Sequence, residues 1–215
     1  MKKGLTEIVF ILDRSGSMSG LESDTIGGFN SMIAKQKKIE GDAFISTVLF
    51  DDRFEVLHNR VPLEHVRPMT SKDYFVRGST ALLDAIGRGI HKIGNVQKYT
   101  PEEFRAEKVI FIITTDGMEN ASREYSYEKI KSMVERQKEN YGWEFIFLGA
   151  NIDALETAER FGIHRDRAAN YHSDSRGTQT NYKVVNEAIS NLRAYNELNA
   201  NWKDEIDEDF QKRHK

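Results

Sequence analysis

The chain of 215 residues contains no cysteine, which removes disulfide frameworks, thiol nucleophiles and Cys-ligated zinc or iron–sulfur sites. It also lacks a charge excess of either sign, with 31 Lys+Arg against 34 Asp+Glu and a formal charge of −3. A dedicated binder of nucleic acid or of an anionic membrane normally carries a basic surplus, so neither partner is expected. Long hydrophobic runs are missing too. No window approaches the ~18–20 apolar residues of a membrane span. The first apolar run, Ile8–Leu12, ends after five residues at Asp13-Arg14. That is too short for the core of a secretory leader, and a cytoplasmic setting is expected. Proline is scarce, at 3 residues, and no Gly-, Pro- or Ser-rich linker divides the chain. One domain is expected, and the chemistry left to it belongs to oxygen and imidazole.

Four apolar runs have strand length: Ile8–Leu12, Phe44–Phe50, Val109–Ile113 and Trp143–Leu148. Their near-continuous apolar character predicts strands covered on both faces, as in a parallel sheet. Helical spacing fills the gaps between them, carried by Leu21/Ile26/Phe29/Ile33, Leu82/Ile86/Ile90/Ile93, Tyr127/Ile130/Val134 and Leu155/Ala158/Phe161. Strand and helix alternate, which predicts a doubly wound, Rossmann-like α/β domain with helices on both faces of a mostly parallel sheet. The Asp-rich turn at Asp51-Asp52 predicts a hairpin and one antiparallel edge strand, and Ala168–His172 a last edge strand. Beyond Tyr182 an apolar stripe runs at four-residue steps through Trp202, Ile206 and Phe210. It predicts a long C-terminal helix or a helix plus an extension. Residues 1–199 are expected to form the domain. Residues 200–215 are expected to form a charged helical extension that frays in solvent, packs on its own domain or meets a partner.

The residues with chemistry sit at strand ends. Strand one runs into Asp13-Arg14-Ser15-Gly16-Ser17, and the later strand ends in Thr115-Asp116-Gly117. In a doubly wound sheet these two carboxyl ends are neighbours at the switch point, where ligands bind. Asp13 and Asp116 are therefore expected to face each other, with Thr80 of Gly78-Ser79-Thr80 brought over the same crevice. Each residue alone has a plainer role as a turn residue or helix cap. Together, two carboxylates and three hydroxyls with no soft ligand make a site for a hard cation: Mg²⁺ first, with Mn²⁺ or Ca²⁺ as alternatives.

Asp13-x-Ser15-x-Ser17, Thr80 before the second helix, and Asp116 in Thr115-Asp116-Gly117 resemble the metal-ion-dependent adhesion site (MIDAS) of von Willebrand factor type A domains. The strand–helix pattern resembles that fold from about Thr6 to Leu198, as a stand-alone intracellular member of bacterial or phage type. The resemblance implies that Ser15, Ser17 and Thr80 ligate the metal directly, with Asp13 and Asp116 binding directly or through water. It implies a non-enzymatic adaptor that captures an Asp or Glu side chain of a partner protein. Ser79 stands where the family often has a second glycine. Ser19 is expected to cap the first helix, and Asp153 the fourth.

Two other functions compete. A metal-dependent hydrolase or phosphotransferase would use Asp13 as nucleophile, but the next acid position holds Ser15 and only Arg14 is at hand for a phosphate. No P-loop or G-x-G-x-x-G is present. A self-assembling structural protein would dock its C-terminal helix on a neighbour. The six histidines, His58, His65, His91, His164, His172 and His214, lack ligand spacing and are expected at the surface or in loops.

Overall fold

A computed structural model describes residues 1–213. Six strands form one sheet in the order β3-β2-β1-β4-β5-β6: β1 (Lys2–Asp13), β2 (Ala43–Phe50), β3 (Phe54–Pro62), β4 (Ala106–Thr115), β5 (Glu144–Gly149) and β6 (Ala168–Asn170). All neighbours pair in parallel except β2 and β3. The helices between them are α1 (Glu22–Gln36), α2 (Leu82–Tyr99), α3 (Tyr127–Tyr141), α4 (Ala154–Arg160), α5 (Ser175–Tyr195) and α6 (Asp204–Arg213). The expected doubly wound sheet with one antiparallel edge hairpin is therefore the observed one. No helix among the described residues is long and apolar enough to cross a membrane.

Successive side chains of β1 point to opposite faces, and both faces are covered. Ile8, Phe10 and Leu12 pack with residues of α1, α5 and α6, whereas Val9 and Ile11 pack with α2, α3 and α4. This double burial explains why the central strands read as unbroken apolar runs. The α1–α5 contact is close because Gly28 lies against Tyr182: a β carbon there would sit 2.2 Å from the ring. The helix ends are closed by long cations. The buried Arg193 guanidinium donates to the Gln36 carbonyl at 2.8 Å and the Gly41 carbonyl at 2.7 Å. Lys108 Nζ donates to the Leu192 and Arg193 carbonyls at 2.8 and 3.0 Å. Cations at a helix C-terminus satisfy carbonyls that the helix leaves open.

The C-terminal stripe is split. α5 ends where Asn196 takes a left-handed conformation (φ 59°), and α6 follows as a second helix. Of the roles open to residues 200–215, packing on the chain's own domain is the one seen in the described part: Trp202 and Ile206 are buried in the α1–α5 core. The Trp202 indole donates to the Asp166 carbonyl at 2.7 Å, and Lys203 Nζ to the Ala168 carbonyl at 2.8 Å.

Two expectations need correcting. His58 is not a surface residue. It is buried on β3, with Nδ1 3.1 Å from Thr47 Oγ1 and Nε2 3.1 Å from the Arg67 carbonyl. Its ring stacks on Phe29, and burial holds its pKa below the usual histidine value. Nor does Ser19 cap α1. A short 3-10 turn, Gly16–Met18, intervenes, and Leu21 holds the cap position with no side-chain bond. Asp153 does cap α4, accepting from the Glu156 amide at 3.0 Å. His214 lies outside the described residues.

Candidate metal centre

β1 and β4 are adjacent, so the loops after them meet at one edge of the sheet. Asp13 is the last residue of β1 and Asp116 follows the end of β4. The Asp13 carboxylate is buried. Oδ1 accepts from the Ser15 amide at 2.7 Å and Oδ2 from the Thr115 hydroxyl at 2.6 Å. The first bond closes a tight Asx turn that sets the course of the Ser15–Ser17 loop. Ser15 Oγ then lies 3.0 Å from Ser17 Oγ and 3.0 Å from Thr80 Oγ1. Three hydroxyls from two loops thus form a cluster, with Ser15 and Thr80 buried and Ser17 exposed.

Main-chain bonds hold the loops together. The Gly16 amide donates to the Gly78 carbonyl at 3.2 Å, Arg77 to Arg14 at 3.0 Å, and Ala81 to Asp51 at 2.9 Å. Asn120 and Thr80 exchange bonds: the Asn120 amide reaches the Thr80 carbonyl at 3.0 Å and the Thr80 amide reaches Asn120 Oδ1 at 3.0 Å. Thr80 does not cap α2, since that position belongs to Ala81. Its hydroxyl is spent on the serine cluster instead.

Beneath these loops lies a charge network that the sequence only half disclosed. Asp51 is the expected hairpin-turn residue, accepting from the Arg53 amide at 2.8 Å. Its other oxygen takes Arg14 Nε at 2.9 Å and Arg77 Nε at 2.7 Å, and Arg14 also reaches Glu55 at 2.6 Å. Arg14 and Asp51 side chains are both fully buried.

Asp116 is held from the other side. Asn151 Nδ2 donates to Oδ1 at 2.6 Å and the Ser173 hydroxyl donates to Oδ2. Burial pushes the carboxyls of Asp13 and Asp116 above the usual carboxylate range, against the opposing pull of these bonds. Every side-chain or amide donor bonded to the two carboxylates here is neutral. Two buried carboxylates without a cationic partner are costly, and a bound cation is the usual compensation. Room for one exists, because the residue after Asp116 is glycine. A β carbon at Gly117 would lie 3.0 Å from Ser17 Oγ and 3.3 Å from Thr80 Oγ1, filling the space beside both hydroxyls. Among the described residues no three His, Asp or Glu side chains gather as a metal site, so a cation here must draw on hydroxyls. The donor set, two carboxylates and three hydroxyls, fits a hard divalent ion.

The structure thus brings Asp13, Ser15, Ser17 and Thr80 together through the Asp13–Ser15 turn and the hydroxyl cluster, and sets Asp116 beside them ahead of Gly117. Sequence reasoning missed Thr115, Asn151, Ser173 and Tyr74, whose hydroxyl donates to the Asp13 carbonyl at 2.5 Å. Thr115 and Ser173 carried a signal in retrospect, since both are hydroxyl residues at or just beyond a strand end on this edge.

No protein-family model matches the chain, and no curated protein matches it. Solved structures do resemble it. Proximal thread matrix protein 1 from the mussel byssus, with a zinc-occupied MIDAS motif, shares 16% identity over 86% of this chain and 46% of that one, with a TM-score of 0.57. The pilus adhesin SpaC of Lactobacillus rhamnosus GG, in an open conformation, shares 10% over 88% and 30%, with a TM-score of 0.66. A von Willebrand factor type A protein from Catenulispora acidiphila shares 14% over 85% and 42%, with a TM-score of 0.54. The chain spans less than half the length of each. At such identities the likeness establishes architecture, and the chain has the von Willebrand factor type A fold.

Proposed function

We propose that this protein is a metal-dependent protein-binding module of adaptor type. Ser15, Ser17 and Thr80 would hold a divalent cation, Mg²⁺ in the first instance, with Asp13 and Asp116 balancing its charge directly or through water. When bound there, the ion supplies a positive point with an open position that an Asp or Glu side chain of a partner protein can occupy. The observation that carries this reading is the convergence of three hydroxyls and two buried carboxylates, served by neutral donors only, around the space left by Gly117. The mussel protein with its zinc-occupied MIDAS shares the architecture.

The chain's own residues prepare the site before any ion arrives. Asp13 shapes the serine loop through the Ser15 amide, Thr115 and Tyr74 fix Asp13, and Asn151 and Ser173 fix Asp116. Ordered neutral donors around a carboxylate orient it as a ligand without neutralising it. Arg14, the cation a phosphotransferase would need, is enclosed by Asp51 and Glu55, which favours binding over catalysis. Burial of Trp202 and Ile206 in their own core likewise disfavours self-assembly through the C-terminal helix. An intracellular setting is part of the proposal.

The test is an affinity capture from native lysate with Mg²⁺ or with chelator, using the wild type and Asp13→Ala. A protein retained only by the wild type with metal is expected. Partners retained equally in chelator, or equally by Asp13→Ala, would sink the proposal.

A further inference from the structure

The C-terminal helix reaches the candidate metal centre through one short loop. Between β6 and α5 lie Tyr171, His172, Ser173 and Asp174, and the last three each have a distinct anchor. Asp174 caps α5, accepting from the Gly177 amide at 2.8 Å, so the helix does not need the neighbouring hydroxyl. Ser173 donates instead to Asp116, 57 residues earlier. On both sides of Ser173 the loop is fastened to α6. The His172 ring stacks on Phe210 with centroids 4.8 Å apart, and its Nε2 lies 3.1 Å from the Phe210 carbonyl. The Asp174 carboxylate pairs with Arg213. Arg213 also pairs with Asp209, whose Oδ1 forms an ion pair with Arg176 Nε at 2.7 Å. Ile206, one turn before Phe210, roots α6 in the core.

From this chain of contacts, and resting on the metal-site reading above, we propose that Ser173 is a positioning residue for Asp116 and that α6 sets its position. The helix straps the loop so that the Ser173 hydroxyl stays on Oδ2 while Asn151 holds Oδ1. The carboxylate then keeps one orientation toward the hydroxyl cluster. Loss of such an outer partner typically lowers metal affinity 10–100-fold. Because the strap and the ligand are linked through one hydroxyl, cation binding and docking of α6 must favour each other by the same factor.

The experiment is a calorimetric titration of the full chain with Mg²⁺, repeated with Mn²⁺, with melting temperatures taken in chelator. Ser173→Ala is expected to weaken binding 10–100-fold with little change in the chelator melting temperature, and Ser173→Thr to restore it. Phe210→Ala combined with Arg213→Gln, which spares Trp202 and Ile206, should weaken binding to a similar degree. Adding Ser173→Ala to that pair should change nothing more. Hydrogen exchange of α6 should slow when metal is added to the wild type. Wild-type affinity in Ser173→Ala, or fully additive losses when it joins the α6 pair, would overturn the inference while leaving the metal site standing. A wild type that binds neither ion would overturn both.

Discussion

Replacing Asp51 by Asn tests whether the loops of the metal centre rest on a buried charge. Asp51 and Arg14 side chains are both fully buried, and one Asp51 oxygen serves Arg14 and Arg77 together. The amide keeps the shape of the carboxylate and removes its charge, leaving the enclosed Arg14 guanidinium with the half-exposed Glu55 as its remaining charged partner and with the Asp73 carbonyl. Breaking a buried pair from one side costs about 3–5 kcal/mol, and the remaining Glu55 places this case near about 3 kcal/mol. For a chain of this size each kcal/mol moves the melting temperature by roughly 2–4 °C, so a fall of about 6–12 °C is expected. Scanning calorimetry and urea denaturation in chelator give the value without interference from metal. Arg77→Gln is the control. Arg77 is a third exposed, and its pairs with Asp51 and Glu55 should be worth about 1 kcal/mol or less. If Asp51→Asn costs no more than Arg77→Gln, the buried charge is not what supports these loops. A double change, Arg14→Met with Asp51→Leu, removes both charges and should recover much of the loss.

Three further outcomes are expected. At a hundred times its dissociation constant, Mg²⁺ should stabilise the protein by about 2.7 kcal/mol, a rise of roughly 5–11 °C. Asp116→Ala and Gly117→Val should abolish that increment in a thermal melt, the latter by filling the space beside Ser17 and Thr80. Gly28→Ala should destabilise by about 1–3 kcal/mol through overcrowding against Tyr182, and wild-type stability in urea would contradict the close α1–α5 contact. His58 has a folded pKa below its unfolded value, so the unfolded chain takes up a proton that the native state resists. Stability should be unaffected well above about pH 6.5 and fall as pH drops below it. Denaturation series on His58→Gln should show a smaller fall, and an unchanged slope would refute the assignment.

How legible the fold was depended on whether burial and polarity agreed. The four central strands announced themselves because both faces are covered. Their ends did not, since Glu7 is buried against Arg60 at 2.7 Å and Lys108 against the α5 carbonyls. Such residues read as loop until their partners are known. The break at Asn196 was legible only as one of two alternatives, because the apolar stripe through Val185, Ile189 and Leu192 resumes at four-residue steps through Trp202, Ile206 and Phe210 and fits one long helix as well as a helix plus an extension. At the site, five ligand candidates could be proposed because Asp13, Ser15, Ser17 and Asp116 stand at or just beyond strand ends and Thr80 stands just before the second helix. Asn151 and Ser173 could not, because their role is defined only by contact with Asp116, 35 and 57 residues away. Arg14 was read as an available cation, and only the folded β2–β3 hairpin shows that Asp51 and Glu55 enclose it.

The short strand β6 ends the sheet on one side, where unpaired carbonyls would ordinarily invite a strand from another molecule. Here Lys203 takes the Ala168 carbonyl, the Trp202 indole takes that of Asp166, and α6 lies alongside. The segment after Asn196 therefore acts as a guard against edge-to-edge aggregation. A chain ending near residue 199 would lose this cover together with two buried apolar anchors, and its first defect would show as poor solubility at high concentration.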